Sequence, residues 1–201
     1  MMQSISYSKH FIAFLTIISL TSQISSILAI HRPIYTDFLK RSCKSTLYPE
    51  LCYNSLSTYA SDIQKNPHML ANAALLVTLA TTRTTTAMIS RMSNGPGIRP
   101  REAGAMKDCL EELNDAVSEL QKSIKEMNHI KDSKRVGLMM NDIQTWVSAA
   151  LTDADTCTAG FDGKVMDGKL KSVVRGKIVT ICHLTSNSLA LINSYASSMH
   201  S

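Results

Sequence analysis

Residues 100–127, PREAGAMKDCLEELNDAVSELQKSIKEM, carry the clearest structural signal in the chain. Ala103, Met106, Leu110, Leu113, Val117, Leu120, Ile124 and Met127 recur at alternating steps of three and four, which places them on one stripe of a helix. Most of the charges, Glu111, Glu112, Glu119, Lys122 and Lys125, fall elsewhere. Pro100 suits a first helical position, where its missing N–H is no loss, and Glu102 complements the positive end of the helix dipole.

Three further segments follow the same rule. From about Ser133 to Cys157, the periodic residues are Val136, Met140, Ile143, Val147, Ala150, Ala154 and Cys157, with Ser133 or Asp132 available as a cap. From Lys169 to Tyr195, Leu170, Val174, Ile178, Ile181, Leu184, Ile192 and Tyr195 form a broad apolar face. Asn66-Pro67 opens a fourth helix that runs to about Met92, apolar at Leu70, Ala73, Val77 and Ala80 and then rich in threonine, a candidate polar contact surface. Asn94-Gly-Pro-Gly97 ends it. Ahead of these helices, residues 34–64 read as a smaller helical hairpin turning near Tyr48-Pro49. Strand alternation is absent over any useful length. Four amphipathic helices on short connectors are expected to form an all-α, up-down-up-down bundle over 66–196, with the hairpin at its N-terminal side.

The first 29 residues read as a secretory signal. Lys9 and His10 precede the apolar run FIAFLTIISL at 11–20, and Ile27-Leu28-Ala29 offers a cleavage site. Serines and threonines after residue 18 interrupt a run that would need about 20 apolar residues to span a bilayer. Residues 30–201 then form one secreted domain, with no membrane association after cleavage. Lys9 is the only charged residue removed, so 20 basic residues face 16 acidic ones. That weak positive balance has no Lys/Arg block of the kind that binds nucleic acid, so no nucleic-acid partner is expected. No Asn-x-Ser/Thr acceptor for N-glycosylation occurs.

Five cysteines bound for an oxidising compartment read as staples. On one continuous helix Cys43 and Cys52 would stand about 13.5 Å apart, beyond the roughly 7 Å a disulfide tolerates. Pro49 breaks the helix between them, so a bridged hairpin is possible. Cys109, early in one helix, and Cys157, late in the next, meet if those helices are antiparallel. Cys182, midway along the last helix, is expected to remain a buried, inert thiol. Its neighbour His183 points about 100° away around a helix and cannot serve it as a base. Without Cys-x-x-Cys or His-x-x-x-His, no metal site is expected. A bundle-core enzyme of the carboxylate type needs two inward Glu-x-x-His motifs, and the sequence does not hold two, so no cofactor or catalytic residue is expected.

Several runs then align with one family. Phe38-Leu-Lys-Arg-Ser-Cys43 leads to Thr46-x-Tyr-Pro-x-Leu-Cys52 and Ser55-Leu56; Asp108-Cys109 leads to Glu112-Leu-Asn-Asp-Ala-Val117. Trp146-Val-Ser-Ala-Ala-Leu-Thr152 leads to Thr156-Cys157 and Gly160-Phe161, and Ser186-Asn187-Ser-Leu-Ala-Leu-Ile192 follows in the last segment. Together these resemble the plant pectin methylesterase and invertase inhibitor family over about 38–195. The resemblance implies a stapled bundle with cysteines one–two and three–four bridged, the fifth free, and a non-enzymatic apoplastic protein. Such a protein would bind a cell-wall pectin methylesterase in an approximately 1:1 complex and cover its cleft. Acid invertase, cell-wall or vacuolar, is the alternative target. Invertase inhibitors of the family carry a Pro-Lys-Phe loop, and His129-Ile-Lys-Asp-Ser133 stands in its place. By position, Asp115 and Thr156 match family contact sites, while Ser118 and Ala159 stand where acidic contacts are found in other members. A structural or signalling module that inhibits nothing is the remaining reading.

The secreted protein is expected to begin at Ile30. N-terminal sequencing of protein collected from the medium of expressing plant cells checks this, and a chain that still begins at Met1 would contradict it.

Overall fold

The computed structural model describes residues 35–130, 134–161 and 168–199. The segment read as a signal therefore lies outside the described residues, as do the caps suggested at Asp132 and Ser133. The described chain is helical, with no strand. Helix α1 covers 35–43. It is followed by α2 (Pro49–Leu56), a 3-10 turn (Ser57–Tyr59), α3 (Ala60–Ile63), α4 (Pro67–Ser93), α5 (Pro100–His129), α6 (Val136–Thr156), a second 3-10 turn (Ala159–Phe161) and α7 (Lys169–Ser198).

Two of the long helices, α4 and α5, start where their sequences supply partners for orphan N–H groups. The Asn66 side chain accepts from the N–H groups of His68 (3.0 Å) and Met69 (3.3 Å). At α5, the Glu102 carboxylate reaches back to the Arg99 N–H (2.9 Å) and to its guanidinium (2.6 Å). Between α4 and α5 the chain turns through Gly97 at φ +79°, a conformation that a side chain would strain.

Each long helix packs on two neighbours: α4 on α5 and α7, and α6 on α5 and α7. Contacts between opposite ends make neighbours antiparallel. The start of α4 meets the end of α5 where His68 Nε2 lies 2.9 Å from the Met127 carbonyl, and α4 meets α7 where Thr78 and Ser188 share a buried hydrogen bond of 2.9 Å. Gln144 on α6 donates to Asn193 on α7 (2.8 Å). This is the up-down-up-down bundle.

The buried seam of α5 differs from the expected stripe. Met106, Leu113, Leu120 and Met127 are buried on both counts, but the second row of the seam is Cys109, Ala116, Ser123 and Ile130. Ala103, Leu110, Val117 and Ile124 are only half-buried beside it. Cysteine, alanine and serine register weakly as apolar, yet their small volume is what lets the neighbouring helices close in. The bulkier set lines the rim.

Helix α4 departs further. Thr82 and Thr85 of the threonine-rich stretch are core residues, as is Thr78 ahead of it, whereas Thr84 is exposed and Thr81 and Thr86 are half-buried. Thr78 and Thr82 donate their hydroxyl protons to the carbonyls of Ala74 (2.8 Å) and Thr78 (2.9 Å), which satisfies them inside an apolar interior. Trp146 is half-buried on α6.

The hairpin is fastened at both ends of its turn. Cys43 and Cys52 are bridged, with Cα atoms 5.6 Å apart. Leu39, Leu56 and Ile63 form a small core with Leu70, Ala74 and Leu191 of the bundle. At the tip, Asn187 of α7 accepts from the Tyr48 N–H (3.0 Å) and donates to the Tyr48 carbonyl (2.9 Å). His183, one turn earlier, stacks on the Tyr48 ring at 3.5 Å.

A second bridge joins Cys109 to Cys157 with Cα atoms 4.1 Å apart. The turn after α6 then folds back on α5. A side chain at Gly160 would meet the Ala105 Cβ at 3.3 Å, while Phe161 is wholly buried. Cys182 is free and half-buried, where full burial was expected, because it sits at the edge of the core.

Asn187→Ala strips both backbone groups of Tyr48 of their partner. The change is expected to cost about 1–3 kcal/mol and to speed hydrogen exchange at the Tyr48 amide while the Cys43–Cys52 bridge stays intact. Urea unfolding and amide exchange measured side by side check both parts.

Candidate functional site on the outer face of α5 and α6

Asp115 and Ser118 lie one turn apart on α5 and are exposed; Thr156 is exposed at the end of α6, and Ala159 is exposed in the turn beyond. The Cys109–Cys157 bridge joins these helices near that end. Position 115 faces out because Leu113 and Ala116, its neighbours on the seam, face in.

The structure adds residues that sequence matching did not single out. Asp153 of α6 lies among Glu112, Asp115 and Glu119 of α5. Its carboxyl is held above the usual aspartate range, first by partial burial and then by those three negative charges. Lys122 pairs with Glu119 at 2.8 Å on the same helix. The signal for these residues was the spacing Glu112-x-x-Asp115-x-x-x-Glu119, but only antiparallel packing brings Asp153 to them.

The hydroxyls on these helices point their protons inward. Ser118 donates to the Asn114 carbonyl (3.0 Å) and Thr156 to the Thr152 carbonyl (2.9 Å), while Thr152 and Ser148 do likewise. What they offer a partner is oxygen lone pairs. Carboxylates and spent hydroxyls together make a face that mainly accepts hydrogen bonds and carries negative charge. It suits a partner rich in cationic and N–H donors. Ser118 and Thr156 each commit their hydroxyl proton to a backbone carbonyl of their own helix.

The free thiol is also chemically quiet. Burial, and then the charge of Asp155, push Cys182 up to about 11, so little thiolate exists near neutral pH. Among the described residues, no group of three His, Cys, Asp or Glu side chains is placed to hold a metal ion. None of the described helices is long and apolar enough to cross a membrane.

The described residues form a doubly stapled helical bundle with an acceptor face on α5 and α6. Residues 37–191 match the family described as plant invertase/pectin methylesterase inhibitor, and the chain belongs to that family. It is 47% identical over 163 residues to pectinesterase inhibitor 10 of Arabidopsis thaliana, covering 80% of this chain and 52% of that one, so it spans about half that relative's length. It is 44% identical over 163 residues to pectinesterase inhibitor 11 of the same plant, covering 80% and 81%. A crystal structure of a mutant form of a pectin methylesterase inhibitor from Arabidopsis superimposes with a TM-score of 0.61 at 26% identity, covering 75% of this chain and 92% of that one. Pectinesterase 2 of Arabidopsis thaliana matches at 30% identity over 155 residues, 77% of this chain but only 26% of that protein. The close relatives are named as inhibitors, and this chain is, like them, an inhibitor-family protein and not an enzyme.

A carboxyl whose folded pKa is raised weakens the fold as pH climbs past its unfolded value, and the deficit is complete above the folded one. Asp153→Asn is therefore expected to stabilise the protein at pH 7 and to make no difference below about pH 3. Denaturant melts at the two pH values check the sign, and a loss of stability at pH 7 would contradict it.

Proposed function

We propose that the protein is secreted to the apoplast, binds a plant cell-wall pectin methylesterase in an approximately 1:1 complex, and covers its substrate cleft, thereby limiting pectin de-esterification. The α5–α6 face is the proposed contact. Asp115 would meet a cationic or N–H donor, and Ser118 and Thr156 would accept hydrogen bonds. The observation that carries this reading is the chemistry of that face: carboxylates from two helices beside hydroxyls already spent as donors, held on a stapled scaffold.

The two disulfides, which restrict the scaffold, support it. A protein inhibitor that loses little side-chain and backbone freedom on docking retains more of its contact energy. A contact of ordinary size buries roughly 1,600 Å² in total, within reach of one side of a bundle whose long helices have 21 to 30 residues. The esterase is favoured over invertase because both inhibitor relatives are named for it. In addition, a protein named pectinesterase contains a stretch like this chain in about a quarter of its length. Acid invertase stays as the second reading because the family's description names both enzymes.

Titration of the secreted protein into plant pectin methylesterases at wall pH is expected to abolish activity near equimolar ratio. Asp115→Lys is expected to weaken inhibition about tenfold or more without changing helical content. Full esterase activity across a broad panel would reject the proposal, and inhibition of acid invertase in the parallel assay would move it to the second target.

A further inference from the structure

The outer side of the hairpin carries a groove of about 570 Å³ that belongs to neither the bundle seam nor the α5–α6 face. Lys40 and Lys44 form one part of its wall; Glu50, Tyr53 and Asn54 form another, with the cystine at Cys43 beside them. The two lysines leave the chain one helical turn apart, since the Lys44 N–H donates to the Lys40 carbonyl (3.2 Å). The Lys40 ammonium sits 5.7 Å from the centre of the Tyr53 ring. Among the described residues neither lysine is in an ion pair. Cys43 and Cys52 cross-link the two walls, so the cations and the ring are held in register by a covalent bond.

The geometry points to a binding site for a carboxylated pyranose, one unit of an acidic polysaccharide such as polygalacturonate. Each part of such a sugar has a counterpart. Its C–H face lies on the half-buried Tyr53 ring, whose π face is electron-rich. Its carboxylate meets the Lys40 and Lys44 ammoniums as a charge-assisted contact. Its hydroxyls meet the Asn54 amide and the Glu50 carboxylate. Glu50 is the one group that opposes an anion, so it limits affinity and favours a sugar, which has hydroxyls to offer it, over a bare inorganic anion. Lys40, Lys44, Glu50 and Asn54 are exposed, so the groove is open to a polymer passing across it. The choice of galacturonate as the sugar rests on the cell-wall reading, whereas the ring and cations themselves require only a carboxylated pyranose. The site would hold the protein on de-esterified wall polymer while α5 and α6 remain free.

The test is titration of the full secreted protein with free-acid oligogalacturonates and with their methyl-esterified counterparts, followed by calorimetry and amide chemical shifts. Saturable binding of the acid form is expected, with shifts gathered at residues 40–54 and little response to the ester. The double variant Lys40→Gln/Lys44→Gln should weaken binding roughly three- to thirtyfold, Tyr53→Leu should also weaken it, and Glu50→Gln should tighten it. Arg99→Gln/Arg101→Gln, at the start of α5, should leave it unchanged. Absence of saturable binding, equal binding of the ester, or equal loss in the Arg99/Arg101 variant would overturn the proposal. Esterase inhibition is assayed separately on the Lys40/Lys44 variant, so binding without inhibition counts against the inhibitor reading alone, and inhibition without binding against this one.

Discussion

Close approach of helices along one narrow seam is the constraint from which the rest of the molecule follows. On α5 the seam alternates large residues (Met106, Leu113, Leu120, Met127) with small ones at Cys109, Ala116 and Ser123. Small residues let the backbones of the neighbouring helices come near, and large ones fill what is left, as dense packing requires. At Cys109 the approach is close enough for a covalent bond to α6. The same economy explains Thr78 and Thr82 in α4. A threonine that returns its hydroxyl proton to the carbonyl four residues back behaves as a compact, nearly apolar side chain.

With the interior closed this way, what the described residues offer a partner lies on the outside. No described cavity gathers an acid, a base and a nucleophile, and the free thiol at Cys182 is held protonated at the core's edge. What the outside offers is two differently charged surfaces on one stapled bundle. The α5–α6 face is acidic and accepts hydrogen bonds, whereas the hairpin groove carries two lysines beside an aromatic ring, neither of them in an ion pair among the described residues. Each surface lies beside its own disulfide, Cys43–Cys52 at the hairpin groove and Cys109–Cys157 between α5 and α6.

The hairpin shows how a small element with little core of its own is kept in place. Its apolar contacts with Leu70, Ala74 and Leu191 are few. Asn187 adds two hydrogen bonds to the backbone of a single residue, Tyr48, in the manner of a strand partner, and His183 covers the ring. Asn187 and Tyr48 are 139 positions apart, and each belongs to a separate run by which the family resemblance is seen. Their pairing gives that resemblance a physical basis: the first and last runs fold against each other.

The sequence by itself determined the number of long helices, their punctuation at Asn66-Pro67, Gly97 and Pro100, and the bundle class. Caps, breakers and three-four periodicity act within one or two turns and need no partner to be read. Tertiary structure alone decided which flank of each stripe faced inward. Leu110, Val117 and Ile124 outrank Cys109, Ala116 and Ser123 in hydrophobicity but yield the centre to them, because helix spacing rewards small volume. It also decided that three threonines of α4 lie in the core, and that Asp153 joins Glu112, Asp115 and Glu119. Asp115, Ser118 and Thr156 could be named by matching positions to the family the sequence resembles, but the character of their face could not. That character depends on where each hydroxyl sends its proton and on which carboxylates of a second helix come alongside, and both are set only when the helices pack.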